Sequence, residues 1–453
     1  MQTTHRYQAL LWALLSLLIT QVSLGQTKPK PAASNKPRTA EQSQQQLKQD
    51  WQNLKEVFKR KNKSDSTGEN QNKTANAAAS QHEENNGPLA APNIQVAVAD
   101  YHMYALKDGV LYGWGDNTQG QLGLGTKTIE LRPRQITAGN PWKQVAAAFK
   151  HTLAIKKDGT LWAWGWSNNH ELGLGQGKNI VPHPTQVGNS NDWAQVSTAF
   201  NNTVAIKTNG SLWVWGSNVQ ACLGVGATPN SAVYVPTRVG TDTNWAQAIA
   251  VQHMIIAIKK DGSLWSWGRK GYSDVRGYAA TTDVTPTPTR IGTDNDWKRV
   301  FVHEYHGNAS AIAQKADGSW WVWGNNSKGK LGLGDEAPRT TPTPFKPPVP
   351  MAAFAVGRFY TIAVAANGSL WHSGEYLQWF YTTIGQPSQS NRFVRMPFSG
   401  RFTGAYFFKS NNTLLVDEGG NLYVYGLNAY GEHGNGTKTS NWTPQKIILP
   451  PAQ

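Results

Sequence analysis

The clearest pattern along the chain is a short alternating segment that ends in glycine, from Asp158 to Gly165. In an extended strand, Leu161 and Ala163 point to one side and Trp162 and Trp164 to the other. The preceding Asp158-Gly159 predicts a two-residue hairpin turn, since glycine adopts a positive φ without steric cost. A strand with bulky apolar groups on both sides must be covered on both sides. The segment therefore predicts one buried strand of a larger assembly of sheets.

The same segment recurs along the chain in steps of 50 to 56 residues. Its turn glycine marks seven copies, at Gly109, Gly159, Gly210, Gly262, Gly318, Gly368 and Gly420. A β pattern that repeats about every 40–50 residues is typical of propeller blades. The sequence therefore predicts an all-β fold, a seven-bladed β-propeller of four-stranded blades over residues 93–450.

One repeat shows the four strands of a blade. We expect an inner strand over Trp142–Ala148, rich in the small residues that a crowded axis requires, and a second strand over His151–Ile155. The third strand is expected over Leu161–Trp164 and a short outer strand over Pro184–Val187. Proline suits an outer edge because it has no N–H to donate to a neighbouring strand.

The first 25 residues predict a secretory signal peptide. His5 and Arg6 precede an apolar run from Ala9 to Ile19, and small residues lie before a cleavage point after Gly25. A membrane span needs about 20 apolar residues, so an uncleaved anchor is the alternative. We expect an exported protein, periplasmic or extracellular, with no membrane span after cleavage.

Residues 26–92 change character, being rich in Lys, Pro, Gln and Asn with few large apolar side chains. Such a segment buries too little apolar surface to offset the entropy of ordering, which predicts a disordered linker. Within residues 41–61 a helical stripe of apolar residues occurs, namely Leu47, Trp51, Leu54 and Phe58. This stripe predicts either a helix that docks or self-associates, or a marginal helix that barely persists in water.

Composition changes this picture little. The 20 tryptophans lie mostly at fixed places in the repeat, which indicates packing residues. A single cysteine excludes an intramolecular disulfide. The formal charge is +15, but the basic residues are scattered without a long run, so we expect a cationic surface and no nucleic-acid partner.

Candidate chemistry is sparse. The repeat distributes Ser, His and Asp residues along the chain, so we predict no catalytic constellation, no cofactor and no metal site. The segment His303–His306 lacks the His-Glu-x-x-His spacing of a zinc protease. The cluster Asp294–Asp296 has counterparts before a tryptophan in other repeats, which favours turn formation over calcium binding.

The repeat resembles the regulator-of-chromosome-condensation repeat in three motifs: Asp158–Gly165, the upstream His151-Thr-Leu-Ala, and the downstream Gly120-Gln-Leu-Gly-Leu-Gly. The resemblance covers about residues 94–449 and implies a seven-bladed propeller. Members of that family include a nuclear guanine-nucleotide exchange factor, a plant ultraviolet photoreceptor and a secreted bacterial β-lactamase inhibitor. Nucleotide exchange in the nucleus conflicts with the export signal, and the photoreceptor's Gly-Trp-Arg-His-Thr motif is absent.

A candidate binding surface lies in the turns between first and second strands, which gather at one mouth of the propeller channel. Six of these seven turns carry aromatic or His side chains: Tyr101 and His102, Phe149 and Lys150, Phe200, His253, Tyr305 and His306, and Arg358 and Phe359. Aromatic residues beside arginine are typical of interface hot spots. The resemblance to the secreted inhibitor implies a partner bound at these turns. The alternative is that the rings pack sideways between blades.

The fourth and sixth repeats lose the Gly-Gln-Leu-Gly loop. In its place the sixth carries four aromatic residues, Tyr376, Trp379, Phe380 and Tyr381, which we add to the candidate binding residues. The sequence thus predicts an exported, non-enzymatic propeller that binds a protein partner, such as an extracellular or periplasmic enzyme that it inhibits. The alternative is a lectin-like module that stacks a glycan on the sixth-repeat aromatics.

Overall fold

The computed structural model describes residues 94–452, apart from 138, 140, 227–230, 270–274, 279–281, 306–307, 376–388 and 409–411. In this part the chain forms seven four-stranded antiparallel sheets, each built from four consecutive strands. The predicted all-β, seven-bladed architecture is confirmed. The predicted signal peptide, linker and 41–61 helix lie outside the described residues.

The blades follow one another in chain order and each begins with the strand nearest the axis. Blades 1 to 4 comprise β1 Ile94–Val98, β2 His102–Lys107, β3 Val110–Gly115, β4 Glu130–Gln135; β5 Trp142–Ala148, β6 His151–Lys156, β7 Leu161–Trp166, β8 Ile180–Gln186; β9 Trp193–Thr198, β10 Asn202–Lys207, β11 Leu212–Ser217, β12 Ala232–Arg238; β13 Trp245–Val251, β14 Met254–Lys259, β15 Leu264–Arg269, β16 Val284–Arg290. Blades 5 to 7 comprise β17 Trp297–Tyr305, β18 Asn308–Lys315, β19 Trp320–Gly324, β20 Arg339–Phe345; β21 Met351–Val356, β22 Tyr360–Ala365, β23 Leu370–Glu375, β24 Gln389–Arg395; β25 Phe402–Phe408, β26 Asn412–Asp417, β27 Leu422–Gly426, β28 Asn441–Ile447. Short 3₁₀ turns occupy Val219–Ala221 and Ser327–Gly329.

The ring closes between blade 7 and blade 1. Each innermost strand contacts that of the next blade, and β25 contacts β1. No strand is shared across this junction among the described sheets, so side chains hold it together. Trp114 is buried there against Phe408 and Leu414 of blade 7. Its indole Nε1 also donates to the Glu432 carbonyl over 2.9 Å.

The tryptophan alternation in the third strand is confirmed. Leu161 and Ala163 pack into the core between blades 2 and 3, whereas Trp164 is buried between blades 1 and 2 with Trp162 half-buried beside it. Each face of the strand is thus covered by a different neighbouring blade. This two-sided burial explains why the segment is apolar on both sides. The third and fourth strands, β7 and β8, are longer than the sequence predicts.

The Asp-Gly hairpins differ between blades. In blade 1 a two-residue turn joins Lys107 to Val110, and both Asp108 (φ 53°) and Gly109 (φ 84°) are left-handed. In blade 2 the Gly159 amide donates to the Lys156 carbonyl, so the loop has three residues with only its glycine left-handed. The predicted two-residue turn is therefore wrong for blade 2. There the Asp158 carboxylate accepts from the Thr160 amide and stabilises the longer loop.

Candidate binding surface at the channel mouth

The turns between the first and second strands lie at one end of the channel. In blades 1, 3 and 6 a backbone hydrogen bond of 2.8–3.0 Å closes each turn, for example from the Ala99 amide to the His102 carbonyl. The closure leaves two loop residues in each turn, such as Asp100 and Tyr101. Blades 5 and 7 have their turns at 306–307 and 409–411, outside the described residues.

These turns surround a cavity of about 530 Å³. Its wall consists largely of small apolar residues at the ends of the inner strands, such as Ala99, Ala148, Ala250 and Gly357. Tyr101, Phe149, Phe200, Gln252 and Arg358 line its rim. The structure therefore brings predicted residues of four turns together around one concave opening. Their role in binding stays a prediction.

Phe149 and Phe200 form an aromatic pair across the junction of blades 2 and 3. Their ring centroids lie 4.5 Å apart, and the Lys150 ammonium lies 5.4 Å from the Phe149 ring. Phe200 keeps 38% of its surface exposed. Phe149 has a φ of 31°, a left-handed conformation that is uncommon for a bulky residue. The pair thus combines sideways packing with an exposed aromatic surface.

Sequence reasoning missed Trp166, which extends this aromatic surface outward along blade 2. Its ring centroid lies 6.1 Å from that of Phe149, and its strand partner is Ile180, which is 39% exposed. The signal was present in the repeat. The residue after the strand-ending glycine is tryptophan in blade 2 but differs in the other blades: Asp116, Ser217, Arg269, Asn325, Glu375 and Leu427.

Tyr101 and Phe359 are half-buried in their turns. The Tyr101 ring lies 4.5 Å from the Tyr430 ring of blade 7, which supports the sideways-packing alternative for this residue. Phe359 packs against the core between blades 6 and 7, and the Arg358 guanidinium lies 4.6 Å from its ring.

The turn that carries Arg358 rests on a buried lysine that the sequence did not single out. The Lys330 ammonium of blade 5 donates to the carbonyls of Gly357 and Arg358, at 3.4 and 3.0 Å. Burial, and then the nearby Arg358 charge, lowers the pKa of Lys330 to about 7. The blade 5 loop therefore fixes the position of the blade 6 turn.

His102 does not belong to the mouth surface, so this part of the prediction is wrong. It is the first residue of β2, fully buried, and its Nε2 lies 3.4 Å from Thr152 Oγ1 of blade 2. His151 has the same place in blade 2, with Nε2 2.5 Å from Thr198 Oγ1. Burial lowers the pKa of both imidazoles to about 3. The shared phrase His-x-x-Ala, which opens both strands, was the sequence signal for this equivalence.

The remaining predicted residues are His253, Tyr305, His306 and the four aromatic residues of the sixth repeat. His253 is half-buried in the blade 4 turn, and burial, then the Arg269 charge, lowers its pKa. Tyr305 is the last residue of β17 and not a turn residue. His306 and the sixth-repeat residues Tyr376, Trp379, Phe380 and Tyr381 lie outside the described residues.

No group of three or more metal-binding side chains occurs among the described residues. The Asp294 and Asp296 carboxylates pair with the Lys315 ammonium at 2.7 and 3.2 Å, as expected for structural acids. In the same part of the chain, no helix has the length and apolar character needed to cross a membrane.

The mouth carries more positive than negative charge among the described residues. Arg358 lines the cavity, Lys150 lies beside the rim residue Phe149, and the backbone amide of the exposed Arg269 donates to the His253 carbonyl in the blade 4 turn. Of the acids nearby, Asp116 is buried and Glu375 pairs with the Lys328 ammonium at 3.1 Å, which leaves Asp100 on the rim. The opening is therefore an apolar cavity with a cationic, aromatic rim.

Comparison with known proteins agrees with this architecture. The family model "Regulator of chromosome condensation (RCC1) repeat" matches residues 108–155, 158–206 and 317–364. The chain thus contains RCC1 repeats, and its described part forms a seven-bladed propeller.

Among curated proteins, the chain is similar to the Ultraviolet-B receptor UVR8 of Arabidopsis thaliana. The two are 28% identical over 176 residues, which is 38% of this chain and 40% of the receptor. Two solved structures share the fold. Human WBSCR16 has a TM-score of 0.63 at 18% identity, covering 75% of this chain and 94% of that one. Prp20p of Saccharomyces cerevisiae, studied for its binding to Gsp1p and histones, has a TM-score of 0.64 at 19% identity, covering 80% and 88%.

Proposed function

We propose that this propeller is an exported, non-enzymatic protein that binds a protein partner at the channel mouth, and that the partner is an extracellular or periplasmic enzyme that it inhibits. The observation that carries this proposal is the Phe149–Phe200 pair on the cavity rim, in which Phe200 is exposed and Phe149 is half-buried. Exposed aromatic rings beside cationic groups have the composition of interface hot spots.

The backbone at Phe149 supports a binding role. A left-handed bulky residue costs of the order of 1–3 kcal/mol and persists only where the surrounding structure holds it. Two-residue turns accept small polar residues that avoid this cost. A phenylalanine with a φ of 31° at the rim therefore indicates that the ring itself is needed there.

The test is capture of a partner from the extracellular and periplasmic fractions by the purified full chain, compared with three variants. Phe200→Ala removes a rim ring and Phe359→Ala removes the half-buried ring beside Arg358, and each is expected to weaken capture by about 1–4 kcal/mol, the range for an interface anchor. Ile448→Ser is the control, because Ile448 is 69% exposed and follows the end of β28 that lies away from the mouth. Equal capture by all four proteins would contradict binding at the mouth.

Export and inhibition have their own measurements. Intact mass of the secreted protein is expected to begin at Gln26, and recovery of Met1 in membranes would contradict cleavage. Inhibition is tested by assaying the captured enzyme with and without the propeller. A glycan array examines the lectin-like alternative, whose residues lie in 376–388 outside the described part of the chain.

A further inference from the structure

We propose that the mouth continues outward over blade 2 as a specific peptide-recognition surface. Phe200, Phe149, Trp166 and Ile180 form this surface, hereafter the blade 2 stripe, and it takes a partner segment in which acidic residues flank a large apolar side chain. This inference rests on the proposed protein-binding function and adds the chemistry of the partner and the direction in which the partner lies.

The stripe is continuous by direct contact. The Phe200 and Phe149 centroids are 4.5 Å apart, the Phe149 and Trp166 centroids 6.1 Å, and Trp166 pairs with Ile180 across β7 and β8. It begins at the cavity rim and ends at the outer strand of the blade. Contiguous apolar side chains on a propeller face mark an interaction site, and at the Trp166 position five of the other six blades carry polar or charged residues.

The charges beside the stripe select an acidic partner. Lys150 stacks on the Phe149 ring, and the exposed Lys178 lies two residues before Ile180. Between Trp166 and Ile180 the acidic residue is Glu171, which is 1% exposed and whose side chain accepts hydrogen bonds from the backbone and side chain of Asn169. Cations at the border of an apolar surface favour a partner of opposite charge.

The shape of the site favours a polypeptide over a membrane. Phe149 and Phe200 line the 530 Å³ cavity as well as the stripe, so the inner end of the site is concave. A side chain of a peptide can enter such an opening, whereas a flat lipid surface contacts only its rim. An extended or helical segment can place one apolar side chain in the cavity and lay its neighbours along Trp166.

The experiment selects peptides from a phage-displayed library of short random sequences on the immobilised full chain. Selected peptides are resynthesised and their Kd is measured for the full chain and for Trp166→Ser, Lys150→Glu and Ile448→Ser. Serine is the residue that blade 3 carries at the position of Trp166, namely Ser217, so the backbone there accepts it. Thermal unfolding of each variant verifies the fold.

We expect peptides enriched in Asp and Glu around Trp, Phe or Leu. Trp166→Ser and Lys150→Glu should each weaken their binding by about tenfold or more, as for loss of an interface anchor. Ile448→Ser should bind normally, and affinity should fall as salt is raised from about 50 to 500 mM. Basic or uncharged peptides, or acidic peptides that bind Trp166→Ser normally, would overturn the inference.

Two further outcomes separate this inference from the proposed function. A partner captured through Phe200 and Phe359 but indifferent to Trp166→Ser and Lys150→Glu leaves mouth binding standing and overturns the blade 2 stripe. Trp166-dependent binding to phosphatidylglycerol vesicles, with no acidic peptide selected, assigns the stripe to a membrane and also overturns the inference.

Discussion

Blades 2 to 5 and blades 6, 7 and 1 share one architecture but use different side chains inside the blade. In each of blades 2 to 5 a lysine lies between two indole rings, within 3.8–5.2 Å of their centroids: Lys156, Lys207, Lys259 and Lys315. In blades 6, 7 and 1 the positions equivalent to the lysine hold Ala365, Asp417 and Lys107. The tryptophan that begins the innermost strand is replaced there by Met351, Phe402 and Ile94.

A second difference concerns the inner strands. The Gln144 side-chain amide donates to the Val196 carbonyl and accepts from the Val196 amide of the next blade, at 3.0 and 3.1 Å. This pair of bonds resembles the backbone pairing between two neighbouring strands. Gln247 does the same to Val300, and Gln195 accepts from Ala248. Blades 6 and 7 carry Ala353 and Gly404 at this position, whereas blade 1 carries Gln95. The junctions from blade 2 to blade 5 are therefore joined by directional hydrogen bonds.

The junctions of blades 6, 7 and 1 combine apolar packing with other polar contacts, such as those of Trp114 with Glu432 and of His102 with Thr152. Between blades 6 and 7 the Tyr360 and Phe407 rings lie 4.5 Å apart, and between blades 7 and 1 Trp114 fills the core. Apolar contacts depend on buried area more than on direction, so they tolerate divergent sequences. The comparison shows that the ring closes without a glutamine hydrogen bond at every junction, as long as each junction is filled.

The largest expected effect tests whether the junction between blades 7 and 1 contributes as much stability as the other junctions. Trp215 donates to the Glu171 carbonyl at 2.7 Å, and Trp114 makes the same contact with Glu432 at 2.9 Å. Alanine at either position should lower the free energy of unfolding by about 3–5 kcal/mol, as for a large aromatic lost from a core. Urea denaturation measures both variants. A loss below about 1 kcal/mol for Trp114→Ala would show that closure does not depend on this junction.

Acid stability examines the histidines that join blades 1, 2 and 3. Burial lowers the pKa of His102 and His151 from 6.5 to about 3, so the unfolded chain takes up protons first as pH falls. These two histidines contribute no pH dependence above pH 6.5, and their contribution to stability should decline between pH 6.5 and about 3, by up to roughly 1.4 kcal/mol per pH unit for each histidine.

The matched variant for this prediction is His151→Asn, since Asn202 occupies the same position in blade 3. It should flatten the decline in denaturation midpoint between pH 6.5 and 4 while keeping the fold at neutral pH. An unchanged slope would mean that other groups cause the acid sensitivity. His372 and His433, with pKa values lowered by burial to about 4, would then be examined in blades 6 and 7.

A smaller effect is expected from the inner-strand glutamines. Gln144→Ala removes two hydrogen bonds between blades 2 and 3, worth roughly 0.5–1.5 kcal/mol each. Arg299→Ala in blade 5 is the control, because the Arg299 guanidinium bonds to Gln314 within its own blade at 2.9 Å. Chemical denaturation should show the larger loss for Gln144→Ala. A larger loss for Arg299→Ala would show that the inner-strand glutamines do not stabilise the junctions of blades 2 to 5.

The smallest effect concerns the lysines between the tryptophans. Lys259→Met keeps the apolar stem between Trp245 and Trp265 but removes the cation–π contacts and the 2.7 Å ion pair with Asp242. We expect a loss of about 0.5–2 kcal/mol. Lys107→Met in blade 1 should cost less, because Ile94 replaces the first ring there. Equal losses would show that the second ring suffices.

The repeat alone was enough to predict the fold. The Asp-Gly turn, the Trp-x-Trp strand and the strand-ending glycine are local, and apart from the shorter turn of blade 1 each adopts nearly the same structure from blade to blade, because short-range sterics and two-sided burial act on it in the same way. The number of blades follows from counting the copies. The position of the turns between first and second strands followed from the same periodicity, and Tyr101, Phe149, Phe200 and Arg358 do line the cavity.

Only the tertiary structure decided what each turn residue contacts. His102 is buried because Thr152 of the next blade lies beside it, and the Tyr101 ring packs against the Tyr430 ring of blade 7. Lys330 holds the Arg358 turn although 28 residues separate them. These contacts join residues of different blades, whose proximity is set by the packing of neighbouring blades. Periodicity places a residue within its blade, but the neighbouring blade determines whether that residue is covered or exposed.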